Sequence, residues 1–195
     1  MPPPSLRIFY TIYRGSIVVL FCIILLIPAS AICQDARLSN MVVTNTRDDL
    51  LLFMTVEGAF NDKMKEAILS GVPATFHFIV ALEKIRSFWL NRELATQEIT
   101  HTITYNPLKK EFTVIRSRES DPVVTDSFAE AEKLMTDVDN LKVASLGELE
   151  KGAKYQIRAK AKLDKIRLPV YLDYMLFFAS LWDFETDWQT IDFYF

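Results

Sequence analysis

Two cysteines and two histidines are all that 195 residues contain of the side chains that most often serve as metal ligand, nucleophile or base. Cys22 lies in an apolar run near the N-terminus, so Cys33 has no intramolecular partner once that run is removed, and the fold must stand without a disulfide. There is no Gly-x-Ser-x-Gly elbow, no Ser-x-x-Lys with the companion motifs of penicillin-recognising enzymes, no His-Glu-x-x-His and no Cys/His metal spacing. No catalytic, cofactor-binding or metal-ligating residue is therefore nominated, and no cofactor is expected. Long linkers, low-complexity tracts and internal repeats are also missing. Twenty-two basic residues stand against 25 acidic ones, a balance that does not suit nucleic acid as a partner.

The residues that could stand in for the missing motifs have plainer readings. His101 is flanked by Ile99 and Ile103 on a core-facing side, and His77 sits between Phe76 and Phe78; both read as hydrogen-bonded interior histidines. Asp183, Glu185 and Asp187 alternate as calcium-binding carboxylates can. The glycine turn and distal glutamate of a calcium loop are missing, so they read as solvated loop carboxylates.

What the chain does have begins with a targeting segment. Arg7 and Arg14 precede the apolar run Ile17–Ile27, Pro28 ends it, and Ala29-Ser30-Ala31 follows as an A-x-A cleavage signal. The run is shorter than the ~20 residues of a spanning helix. A signal peptide over 1–31, cleaved after Ala31, and a single exported domain over 32–195 are expected, with an uncleaved inner-membrane anchor as the alternative. Ile32 argues against acylation of Cys33, since a lipobox places a small residue there. Loss of Arg7 and Arg14 leaves 20 basic residues against 25 acidic ones, a formal charge of −5.

Beyond Cys33 the dominant period is two. Residues 37–46 and 50–57 form one predicted hairpin, Phe76 to Leu82 a strand covered on both faces with a bulge near Glu83–Ile85, and 98–105 with 112–117 a second hairpin across Asn106-Pro107. Phe88-Trp89 closes the strand that Phe76 begins. Asn61, Met64 and Ile68, ended by Gly71 and Pro73, predict a short helix. Ser127-Phe128-Ala129-Glu130 is a capping box opening a helix whose apolar stripe runs through Ala131, Leu134, Met135 and Val138. The last run, 188–195, is strand-like. Strands unseparated by regular helices point to an all-β protein with short helices: an antiparallel β-sandwich of about eight strands with two or three helical connections.

One strand carries the candidate surface. Over 154–163, Tyr155, Ile157, Ala159, Ala161 and Leu163 alternate with Lys154, Gln156, Arg158, Lys160 and Lys162, giving a core face and a basic face. A solvated sheet face is the first reading and contact with an anionic membrane surface the second. The apolar stretch 168–188 is too short, between Asp173 and Asp183, to be a second span. Pro169 in its first turn makes it a helical cover over one end of the sandwich, with Phe177 and Phe184 as aromatics that could meet a partner. The terminal Phe195 with alternating apolar residues also resembles the end of an outer-membrane barrel, kept as a minor alternative.

Gly71-Val72-Pro73 before a Phe-rich strand, Arg86 with Phe88-Trp89, Tyr105-Asn106-Pro107-Leu108, and Leu168-Pro169 followed by Trp182 and Trp188 together resemble a proteobacterial family of exported proteins known only as a domain of unknown function. Some members are encoded beside a nitrogen-regulation type sensor kinase. The resemblance implies a periplasmic accessory to envelope signalling. With no catalytic motif present, a non-enzymatic protein contacting a membrane or periplasmic protein through sheet edges or the aromatic C-terminal region is expected. A secreted lipid- or glycan-binding module or hydrolase with an aromatic pocket is the alternative.

Overall fold

Alternating apolar residues build two antiparallel sheets whose inner faces share one core. The computed structural model describes residues 36–164 and 184–195, all within the unit Asp35–Phe195. The expected signal segment, Cys33, Phe177 and residues 168–183 of the helical cover expected over 168–188 lie outside the described residues; residues 184–188 are described and are not helical, Glu185 instead forming a β-bridge with Lys162. The strands are β1 (Arg37–Asn45), β2 (Asp49–Glu57), β3 (Ala74–Lys84), β4 (Arg92–Asn106), β5 (Glu111–Arg116), β6 (Val123–Thr125), β7 (Asp137–Ser145), β8 (Lys154–Leu163) and β9 (Gln189–Tyr194). Helix α1 (Asp62–Leu69) joins β2 to β3 and α2 (Phe128–Thr136) joins β6 to β7. One sheet has the order β1-β2-β7, the other β6-β5-β4-β3-β8-β9.

The sandwich reading holds, and the barrel alternative does not. Both sheets are open, with β1, β7, β6 and β9 at their edges. Leu50, Leu52, Met54 and Val56 of β2 face Phe76, Phe78, Val80 and Leu82 of β3 and Tyr155, Ile157, Ala159 and Ala161 of β8 in one buried cluster. The bulge expected near Glu83 is a register shift against β4 between Leu82 and Glu83. β1 and β7, the neighbours of β2, are each interrupted where an asparagine takes a left-handed backbone: Asn40 at φ 50° and Asn140 at φ 51°. Asparagine tolerates that region better than most residues, and bulges on edge strands twist the exposed edge away from other chains.

Two local expectations are corrected. The helical spacing predicts a stripe through Val138, but α2 stops at Thr136, whose hydroxyl donates back to the carbonyls of Glu132 and Lys133 at 3.0 and 3.3 Å. Asp137 turns extended and Val138 enters β7 opposite Met54, where a β-branched side chain suits a pleated surface. The capping box is also only half direct. Ser127 Oγ accepts from the Glu130 N–H at 3.4 Å, but the Glu130 carboxylate accepts the Thr125 hydroxyl at 2.5 Å, and Thr125 Oγ1 in turn accepts the Ser127 N–H at 3.1 Å. Thr125, 8 % exposed, thus relays the second half of the box.

Candidate interaction surface

The basic residues of β8 stand on the outer face of the six-stranded sheet, and acidic neighbours meet most of them. Lys154 Nζ lies 2.7 Å from Asp192 of β9, whose carboxyl also accepts from Gln156 Nε2 at 2.8 Å. That contact holds Asp192 below the usual carboxylate range, with Lys154 the larger cause and Gln156 the next, and raises Lys154 in return. Arg158 donates to Glu83 of β3 at 2.8 Å, and Lys160 pairs with Glu185. The Arg158 guanidinium and the Lys160 ammonium also lie 4.7 and 5.1 Å from the ring centre of Trp188, a cation–π arrangement. Among the described residues Lys162 forms no ion pair; it lies opposite His77 in the register of β3 and β8. Three of the four cations of the stripe are thus met by carboxylates, and Lys162 is the exception.

These pairs lead to a feature of a different kind. Glu83 accepts from Arg158 with one carboxylate oxygen and from Asn91 Nδ2 with the other, at 3.0 Å. Asn91 closes the turn between β3 and β4, and on the opposite side the Ile85 N–H donates to the Lys154 carbonyl at 2.9 Å. Held at both ends, the turn presents Phe88, Trp89 and Leu90 at 95 %, 81 % and 90 % exposure. Hairpin turns ordinarily carry glycine, asparagine, aspartate or serine; three large apolar residues in a row have no folding reason to be here. Arg86 and Arg92 flank them, and both are exposed. Glu150, in contact with Lys84, is held below the usual carboxylate range chiefly by that lysine, with weaker through-space help from Arg92 and Arg86.

The sequence places Phe88 and Trp89 at the close of a strand, but β3 ends at Lys84 and both lie in the turn. The signal that could have found them is the pattern Arg-x-Phe-Trp-Leu-x-Arg between two strand-like runs, where a polar connection is the rule. Phe184, in contrast, is half-buried and meets Phe76 edge-on, ring centres 5.0 Å apart. It is part of the packing rather than a free aromatic.

The two histidines part company. His101 is 4 % exposed, donates through Nδ1 to the Met135 carbonyl at 3.1 Å and is tilted against Phe78 at 4.9 Å. Burial lowers its proton affinity most, with a smaller opposing effect from the Met135 contact. His77 is not interior. Alternation puts it on the outer face, with Nδ1 2.6 Å from Glu98 and Nε2 3.7 Å from Asp164. Among the described residues no group of three or more His, Cys, Asp or Glu side chains could hold a metal ion. Nor, among them, is any helix long and apolar enough to cross a membrane.

A recess of about 310 Å³ lies between the starts of the two helices, lined by Phe60, Asn61, Asp62, Lys65, Phe128 and Glu132. Lys65 Nζ lies 4.7 Å from the Phe128 ring centre. The floor is an aromatic cluster in which Phe60 meets both Phe76 and Phe128, at 5.2 and 5.8 Å.

Residues 33–192 match the family described as a domain of unknown function, DUF4390. No curated protein matches the chain, and no solved structure does.

Proposed function

We propose, starting from a chain that belongs to the DUF4390 family, that this protein is a non-enzymatic interaction module and that its contact surface is the turn between β3 and β4. The observation that carries the reading is the near-complete exposure of Phe88, Trp89 and Leu90 on a turn whose two ends are tied down. Side chains of this size stabilise by roughly 1.5–3 kcal/mol each when buried. Together they offer on the order of 5 kcal/mol or more to whatever covers them, before the cost of association. A folded chain that leaves this apolar area in water gains nothing from it alone. We assign the module to the periplasm, as an accessory to envelope signalling, on the export signal and the family resemblance read from the sequence.

The test is crosslinking in intact cells, comparing the wild-type chain with a Phe88→Ser/Trp89→Ser/Leu90→Ser variant. The module reading expects crosslinked adducts with the wild type that the variant loses while remaining folded. Recovery of only unmodified chain from both, with no adduct to protein or lipid, would overturn it.

A second reading, a small-ligand module for lipids or glycans, draws on the recess between Phe60 and Phe128. Its volume is at the lower end of small-molecule sites, and Lys65 over Phe128 supplies a cation beside an apolar wall. A ligand-induced rise in melting temperature that Lys65→Ala abolishes is its expected signature.

A further inference from the structure

Resting on the interaction-module reading, we infer that what covers the β3–β4 turn is the interface of a lipid bilayer bearing anionic headgroups, with Phe88, Trp89 and Leu90 entering the headgroup–acyl boundary and Arg86 and Arg92 meeting phosphates. The composition of the turn is that of an interfacial anchor. Tryptophan and phenylalanine settle at the level of the headgroups, where an apolar body and a polar edge are both accommodated, and flanking arginines favour anionic lipid. The three consecutive large side chains stand almost wholly in solvent, as a protrusion. A fluid interface accepts such a shape without a matching cavity, whereas a protein partner must supply one.

The charges around the turn separate the same way. Lys84, Lys154 and Arg158, at this end of the sheet, are each satisfied by a carboxylate: Glu150, Asp192 and Glu83 respectively. Arg86 and Arg92, the two that border the apolar residues, have no carboxylate within ion-pairing distance among the described residues. They are the cations left over for an external anion. Tyr194 lies at the same end, opposite Lys154 in the register of β8 and β9 and 73 % exposed, and widens the aromatic edge. The other end of β4 supplies an internal contrast. Leu108, in the β4–β5 turn, is 95 % exposed but stands alone, some 45 Å away as a 15-residue strand runs, on the order of 3.3 Å per residue.

The experiment uses the full chain, and because its N-terminal apolar run would itself partition into lipid, the readout is local. An environment-sensitive dye is attached to Leu90→Cys, and separately to Leu108→Cys, each in a Cys22→Ser/Cys33→Ser background, and emission is followed on phosphatidylcholine vesicles with and without phosphatidylglycerol. The inference expects a blue shift at position 90 that grows with phosphatidylglycerol, none at position 108, and about a five-fold loss of the anionic preference for each of Arg86→Gln and Arg92→Gln. Equal aqueous emission at both positions on either vesicle overturns it. The in-cell crosslinking above keeps the two readings apart: aqueous emission at position 90 together with tip-dependent adducts sinks the lipid occupant and leaves the module standing, and aqueous emission without adducts sinks both.

Discussion

Thr186 is polar and 4 % exposed, and its partners account for the burial: its N–H donates to the Ala161 carbonyl at 2.8 Å and its hydroxyl oxygen accepts the Ala161 N–H at 3.0 Å. With the Leu163 N–H donating to the Phe184 carbonyl at 3.0 Å, residues 184–186 lie against β8 through a single β-bridge between Glu185 and Lys162. Thr186→Val leaves the Ala161 N–H buried without an acceptor and should cost about 1–3 kcal/mol in chemical denaturation, while Thr186→Ser keeps most of the stability. His101 sets a pH dependence. Its ordinary value is 6.5 and the folded value is lower, so the unfolded chain binds the proton more readily. Stability is therefore full above about pH 6.5 and is lost as pH falls through the depressed folded value. Glu150 and Asp192 are also lowered, from 4.5 and 3.8, so their contributions fade only at more acid pH. Denaturation midpoints across roughly pH 5 to 8 should decline on the acid side in the wild type and flatten in His101→Gln. These two residues were unequally legible. Isoleucines at alternate positions announced an interior His101, while Thr186 gave no sequence signal, because its burial depends on a strand 25 residues away.

At the scale of elements, the clean alternations were readable and the interrupted ones were not. β8 follows its pattern position by position: Tyr155, Ile157, Ala159, Ala161 and Leu163 are all buried, with the basic residues between them less so. β7 was missed because its exposed Asp139 and Asn140 break the period, and the left-handed Asn140 adds a residue that two-fold alternation cannot absorb. The three-residue β6 is too short to show a period at all. The start of α2 was found from Ser127 and Glu130, yet the relay through Thr125 requires the β6 end to sit over the helix terminus. Thr125→Val should then cost about as much as Ser127→Ala, on the order of 1 kcal/mol each in thermal or chemical unfolding. A near-neutral Thr125→Val would mean that the box closes directly. The β8 face shows why a charge pattern alone misleads: its lysines were visible in sequence, but Asp192, Glu83 and Glu185 come from elsewhere in the chain and turn the stripe into a set of pairs. Solvent screening leaves such pairs little direct effect on stability; their positional effect, through Arg158, Glu83 and Asn91, falls on the β3–β4 turn.

Across the whole molecule, fold class followed from the period of two, whereas the order β6-β5-β4-β3-β8-β9 did not, since it requires β8 to pair with β3 across some seventy intervening residues. The same pairing places the Lys154 carbonyl beside Ile85 and so holds up an apolar turn that the sequence shows only as three residues in a row. Because Phe88, Trp89 and Leu90 are almost wholly exposed, replacing all three by serine should shift the unfolding midpoint by no more than about 0.5 kcal/mol of stability, the range of ordinary surface changes. A much larger loss would make the turn a part of the packing. The most direct measurement of what the turn does is site-specific photo-crosslinking in intact cells, with a photoreactive residue at position 89 and, as control, at position 108. The account predicts adducts with lipid or a second protein from position 89 and none from position 108; a position 89 that reacts with no neighbour, or no differently from position 108, would contradict it.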